Sequence, residues 1–195
     1  MVAAVATRRM TLEEFEQLAD TAGLELIHGE PKEMAAVSEK SSWLNGQVYG
    51  HIWLWCRTEG QGLPFPNDTL IACWPGAPNH ARKPDTVFYR PGRLPRSRSE
   101  RGAITVVPDL VVEVLSTYDQ AGALQEKLND YREAGVPLIW VIFPDTRDAW
   151  VYHASSSDAR YVPRDGALDG EDVMPGFRLP LEDLFAGAGT EAGRS

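Results

Sequence analysis

Cysteine is scarce in this chain, and no apolar run is long enough to cross a bilayer. The two cysteines, Cys56 and Cys73, lack CxxC spacing and are too few for a disulfide scaffold or a cysteine-rich zinc site, so both are expected as buried thiols. Arg8 and Arg9 follow a very short apolar stretch within Met1 to Met10, unlike a secretory signal, which gives an expected cytoplasmic location and no membrane partner. Histidine is scarce as well. His28, His51, His80 and His153 show no HExxH or paired spacing, which argues against zinc and for structural or surface roles. No GxSxG elbow or GxxxxGK[ST] loop occurs, which disfavours serine hydrolases and nucleoside triphosphatases. Positive charge is in deficit, 19 Lys and Arg against 28 Asp and Glu, so the surface as a whole does not suit coating a polyanion.

The positive charge that exists is unevenly placed. Arg82, Lys83, Arg90, Arg93, Arg96, Arg98 and Arg101 face only Asp85 and Glu100 in the same stretch, a local +5 that leaves −14 for the remainder. This stretch precedes the most unusual feature of the chain. Glu113 stands within Leu110-Val111-Val112-Glu113-Val114-Leu115, a run apolar enough to be a strand buried on both faces. An ionised carboxylate there must be compensated by a cation or take up a proton.

The remaining pattern reads as a mixed α/β domain over residues 10–185, with a flexible N-terminus at 1–9 and a flexible tail at 186–195. Thr11-Leu12-Glu13-Glu14 is a capping box opening a helix expected over 12–22. Leu24 to Gly29 and Lys32 to Val37 suit a hairpin, and Leu44, Val48, Ile52 and Trp55 mark one face of a helix over 42–58. Trp43, Trp53 and Trp55 on or beside that helix are expected to serve packing rather than base stacking. Thr69 to Trp74, Asp85 to Tyr89, the Glu113 run, Leu138 to Phe143 and Ala149 to His153 read as strands. Leu124, Leu128, Tyr131 and Ala134 define a helix capped by Gly135, so the runs at 110 and 138 are expected to lie parallel through a helical crossover. Pro91 to Arg101 is expected as an exposed basic loop, and Met174 to Phe185 as a turn with a short closing helix.

Asp85 opens its strand 28 residues before Glu113, a separation that fits neighbouring strands joined by a long loop. Two such carboxylates can share a hard divalent ion that keeps several waters, Mg²⁺ or Mn²⁺. Asp109 does not fit this role: four residues before Glu113 on an extended strand, it lies about 13 Å away at roughly 3.3 Å per residue. Lys127 projects near the helix face that packs on the sheet, where its ammonium can meet a metal-bound water or a phosphate. Plainer readings stand beside each: Asp85 as a turn residue, Glu113 in a buried pair with an arginine, Lys127 covering apolar surface with its stem.

Taken in order, Leu24-Glu25-Leu26-Ile27-His28-Gly29-Glu30, Lys83-Pro84-Asp85, Pro108 to Ser116, Glu126-Lys127-Leu128, Tyr131, Ala134-Gly135-Val136-Pro137 with Trp140, and Met174-Pro175-Gly176-Phe177 resemble the Uma-type restriction endonuclease family of the PD-(D/E)xK nuclease superfamily. The resemblance spans about Met10 to Phe185. It implies a restriction-endonuclease-like fold, a mixed central sheet flanked by helices, with the N-terminal helix and hairpin added. It maps Asp85 and Glu113 to the acidic members of the motif and Lys127 to its lysine, displaced to the following helix because Leu115 stands two after Glu113. Glu25 matches a further acidic position that approaches the site. A histidine that members often carry near the start of the second helix is replaced here by Ser41, Ser42 and Trp43.

The expected activity is Mg²⁺- or Mn²⁺-dependent hydrolysis of DNA phosphodiester bonds. In that reading Asp85 and Glu113 are metal ligands, Lys127 is catalytic, and Arg90, Arg93, Arg96, Arg98 and Arg101 grip the DNA backbone. A homodimer is expected by analogy with two-strand cleavage. The alternative is a catalytically inactive nucleic-acid or protein-binding module on the same fold, favoured by the acidic balance and the missing ExK spacing.

Overall fold

A computed structural model describes residues 9–95, 102–116 and 120–187. Its centre is a six-stranded sheet built from β3 (Leu63–Phe65), β4 (Thr86–Tyr89), β5 (Leu110–Val114), β6 (Leu138–Phe143), β7 (Asp148–Tyr152) and β8 (Ala159–Val162), hydrogen-bonded in that order. Every neighbouring pair is antiparallel except β5 and β6. That parallel pair needs a crossover, which α3 (Ala121–Ala134) supplies. Gly135 ends α3 at φ 81°, a conformation that suits glycine.

The alternation of β5 divides the core. Leu110, Val112 and Val114 face α2 (Glu39–Glu59), packing with Leu44, Val48 and Ile52 and with Leu181, Leu184 and Phe185 of the closing helix α4 (Leu181–Phe185). Val111 faces the other way, with Leu128 and Tyr131 of α3. Glu113 shares that second side by the period of two along a strand. Here lies the reason a carboxylate is tolerated in so apolar a run: α3 covers it and carries polar groups to it.

The amino-terminal part forms a small annex. The capping box at α1 (Leu12–Glu16) is present, with Thr11 Oγ1 accepting from Glu14 N–H and Glu14 accepting from Thr11 N–H. The helix stops well short of residue 22, because Asp20 accepts from Ala22 N–H and Leu24 N–H bonds Thr21, a local turn that competes with helix. β1 (Leu24–Ile27) and β2 (Glu30–Glu33) make the hairpin through His28 (φ 50°) and Gly29 (φ 84°), and a Cβ at Gly29 would lie 2.6 Å from Arg9 Cβ. The return strand begins two residues earlier than expected.

Other expectations are corrected. Residues 69–74 form no strand: Ile71 makes single bridges to Arg82 and Ile104, and Pro84 leaves the segment opposite without a donor to extend a ladder. The helix expected from 42 begins at Glu39, since Ser38 caps it by accepting from Ser41 N–H. β3, β8 and the small pair β9 (Ala167–Asp169) and β10 (Arg178–Pro180) are three or four residues long and carry no legible alternation. Cys56 and Cys73 are buried free thiols, pushed up to about 11 and about 12 by desolvation. Trp43 and Trp55 pack against the core, whereas Trp53 is exposed with Arg57 over its ring. Among the described residues no helix is long and apolar enough to cross a membrane. The expected flexible ends fall almost wholly outside the described residues.

Candidate active site

The register of β4 on β5 pairs Thr86 with Val112 and Val87 with Val111. One step further along the same antiparallel register sets Asp85 opposite Glu113, and directly opposed side chains have Cβ atoms about 5 Å apart. Asp85 precedes the first paired residue of β4, and a separation of 28 residues in the chain becomes a shared wall of one cleft. The backbone agrees, since Val114 N–H donates to Asp85 Oδ2 at 2.7 Å. Asn45 of α2 donates its amide to Asp85 Oδ1 at 2.5 Å.

Glu113 is met from α3. Lys127 Nζ lies 2.8 Å from Oε2, and the Tyr131 hydroxyl donates to Oε1 at 2.5 Å. The two donors are four residues apart, one helical turn, so a single face of α3 addresses both carboxylate oxygens. Glu113 is thus paired with a lysine and a tyrosine, not with an arginine.

Glu25, on β1, lines the same cleft but is already engaged. It accepts from Arg82 Nη1 at 2.8 Å and from Lys83 N–H at 2.9 Å. Arg82 also reaches Asp130 of α3, with Nε 2.8 Å from Oδ2. The chain Glu25–Arg82–Asp130 therefore fastens the hairpin to the helix that carries Lys127 and Tyr131. Glu25 acts here through the scaffold that holds α3.

Electrostatics divide the roles. Burial pushes the Glu113 carboxyl up, Lys127 draws it back, Asp85 raises it again, and the balance lies at about 7. Burial alone would lower Lys127, but Glu113 and Glu25 outweigh it and hold the ammonium above its ordinary range. Lys127 is accordingly a permanent cation at neutral pH, able to donate and to neutralise but not to abstract a proton. Burial and Glu113 together lift the Tyr131 phenol well above its ordinary value, so it remains a donor.

A consequence for stability follows from the raised Glu113. The folded state keeps a proton that the unfolded chain releases above about pH 4.5, so this group's contribution falls as pH rises from there and levels off above about 7. Glu113→Gln should remove this dependence. Urea unfolding of both proteins is expected to show the variant gaining roughly 2–3 kcal/mol on wild type between about pH 5 and pH 8. A constant difference across that range would mean that Glu113 is not perturbed.

Glu25, Arg82, Asp85, Glu113 and Lys127 open into one cleft of about 570 Å³, walled by residues 32–37 after the hairpin and by Gln120, Gly122, Ala123 and Glu126 at the start of α3. Hard oxygen donors that share one cleft suit Mg²⁺ or Mn²⁺, which accept one or two carboxylates and fill the rest of their shell with water. Among the described residues no cluster of three or more His, Cys, Asp and Glu is arranged to hold an ion.

Of the arginines expected on the DNA, Arg90 and Arg93 are described. Arg90 follows β4 at the end away from Asp85, roughly 16 Å along the strand at about 3.3 Å per residue. Arg90 and Arg93 pair with the fully buried Asp109, with Nε atoms 2.8 and 3.3 Å from its oxygens. Asp109, set aside on spacing, is the counter-charge of this loop. Lys83 is buried against Asp68 and the Thr21 carbonyl. Within the described part of the positive stretch, Arg82 lines the cleft, whereas Lys83 pairs with Asp68 and Arg90 and Arg93 pair with Asp109. Arg96, Arg98 and Arg101 lie outside the described residues.

The pattern of the Uma2 family, described as "Putative restriction endonuclease", matches residues 12–182. The chain belongs to the Uma2 family. Among solved structures it is similar to a "putative nuclease belonging to DUF820" from Anabaena variabilis ATCC 29413, with a TM-score of 0.77 and 21% identity over 91% of this chain and 98% of that one. At that identity the likeness establishes a shared fold, a mixed sheet flanked by helices. No curated protein matches the sequence.

Within this Uma2 chain, three polar contributors to the site escaped the sequence reading. Tyr131 was noted for its place on the apolar face of a helix and in the family resemblance, without a role at the site, although its spacing from Lys127 was a signal that both could reach one strand residue. Arg82 was counted with the surface bases. Asn45 had one visible signal, an amide flanked by the buried positions Leu44 and Val48.

Proposed function

We propose that this chain is a divalent-metal-dependent nuclease that hydrolyses DNA phosphodiester bonds in the cleft between β4, β5 and α3. The observation that carries the reading is the convergence of two opposed carboxylates and one locked ammonium in an open cleft, Asp85 across from Glu113 and Lys127 2.8 Å from Glu113. Family membership and the nuclease description of the structural neighbour support the same reading.

Asp85 and Glu113 would hold the ion, which when bound supplies a Lewis acid for the negative charge of the transition state and makes water more acidic. The chain's own residues do the rest. Two hydrogen bonds, from Asn45 and Val114, fix the Asp85 carboxylate. Tyr131 fixes one oxygen of Glu113 and leaves it able to accept again, since each carboxylate oxygen offers two acceptor sites. Lys127, always charged, donates toward water or a phosphate oxygen at the mouth of the cleft and offsets charge there. Lys32, exposed on the cleft wall, offers a further backbone contact beside those of Arg90 and Arg93.

The test is cleavage of supercoiled plasmid and of single-stranded DNA with Mg²⁺, with Mn²⁺ and with chelator. Cleavage restored by either ion and abolished by chelator is expected; none under any condition rejects the nuclease reading. A second reading, a binding module without turnover, is favoured by one observation: Lys127 and Tyr131 already satisfy Glu113. Its mark is DNA retention in a filter assay with no product and no dependence on metal.

A further inference from the structure

Asn45 is out of place on its helix. The buried face of α2 is otherwise Leu44, Val48, Ile52 and Cys56, with Ser41 hydrogen-bonded at its start. Asn45 is 7% exposed on that face. Its Nδ2 donates to Asp85, while its Oδ1 is buried with no hydrogen-bond partner among the described residues. A buried amide with an unanswered oxygen is a cost that a leucine of similar volume would not incur. Packing therefore does not account for asparagine here; the contact with Asp85 does.

We infer that Asn45 is a positioning residue for the acidic pair, holding the Asp85 carboxylate in the orientation in which it can serve as a ligand together with Glu113. The inference rests on the metal-dependent reading given above. Asp85 sits just before β4, where a side chain has more freedom than within the ladder, and its two oxygens are gripped from different elements. Val114 N–H takes Oδ2 and ties it to the strand that carries Glu113; Asn45 takes Oδ1 and ties it to α2. Removing the second grip takes away the hold of α2 on Oδ1. Groups that orient a metal-binding carboxylate in this way commonly change metal affinity by 10–100-fold when lost.

The experiment is calorimetric titration of Mn²⁺ into the DNA-free protein, with melting measured in parallel, for wild type, Asn45→Leu and Val48→Ala. Val48 lies on the same buried face and touches the core alone, so its truncation reports packing. Wild type is expected to bind, Asn45→Leu to bind 10–100-fold more weakly with no greater loss of melting than Val48→Ala, and Val48→Ala to melt lower with affinity unchanged. Asn45→Ser, smaller and still polar, takes the same titration if the leucine variant does not fold. Equal affinity in wild type and the Asn45 variants overturns the role of Asn45 while leaving the metal reading in place, and so does a loss that only follows melting across all variants. Failure of wild type to bind Mn²⁺ overturns the metal reading and the Asn45 inference with it.

Discussion

Asp85→Ala and Glu113→Gln are each expected to lower plasmid cleavage at least on the order of 10³-fold, because each removes charge from a centre whose main contribution is electrostatic. The two losses should not add. Both residues serve one ion, and once it is lost the second substitution has little left to remove. Their effects on folding should separate. Asp85→Ala deprives Asn45 and Val114 of an acceptor and should lower melting, whereas Glu113→Gln neutralises a carboxyl that the fold holds at about 7 and should not lower it above neutral pH. A Glu113→Gln protein that melts like wild type yet does not cut would separate catalysis from folding within one substitution. Equal cleavage by wild type and both variants would remove these carboxylates from the mechanism.

Lys127→Met is expected to reduce cleavage by about 10²–10⁴-fold, with a second effect that distinguishes its role. Lys127 is the largest influence opposing the burial of Glu113. Methionine keeps the length of the side chain but not its charge, so Glu113 should climb above about 7 and hold its proton at neutral pH. A bound cation must displace that proton, so Mn²⁺ affinity at pH 7 should drop and recover as pH is raised. Titrations of wild type and Lys127→Met across pH would show the variant's affinity curve moved to higher pH, with cleavage still impaired where the ion is bound. If affinity and its pH dependence match wild type, the pair at 2.8 Å does not control Glu113. Lys127→Arg should retain most affinity, since the charge survives, and lose part of the rate, since a planar guanidinium cannot occupy the place of a compact ammonium.

Reading residues in order went furthest where local chemistry dictates structure. The capping box at Thr11 and Glu14, the glycine stop at Gly135 and the two apolar runs that became β5 and β6 were all visible, because caps, left-handed glycines and buried strands leave marks within a few residues. Short edge strands such as β3 and β8 left none, since three or four residues at the margin of a sheet take their conformation from the neighbour they pair with. The strand expected at 69–74 failed for the complementary reason: a suitable sequence had no continuous partner.

The same division runs through the cleft. Composition and spacing were enough to single out Glu113, because a carboxylate among five apolar neighbours is anomalous wherever the chain goes, and to nominate Asp85 and Lys127 as its company. The basic stretch showed its charge but not its partners, since one-dimensional charge density does not say which acid each arginine will meet; Arg82 meets Glu25 and Asp130, and Arg90 meets Asp109. Which strand register sets Asp85 opposite Glu113, which turn of α3 delivers Tyr131 beside Lys127, and that an amide from α2 reaches under the sheet to Asp85 were fixed only by packing. Pairings of this kind depend on distances between residues dozens of positions apart, and those distances are set when the two sides of the sheet are buried together.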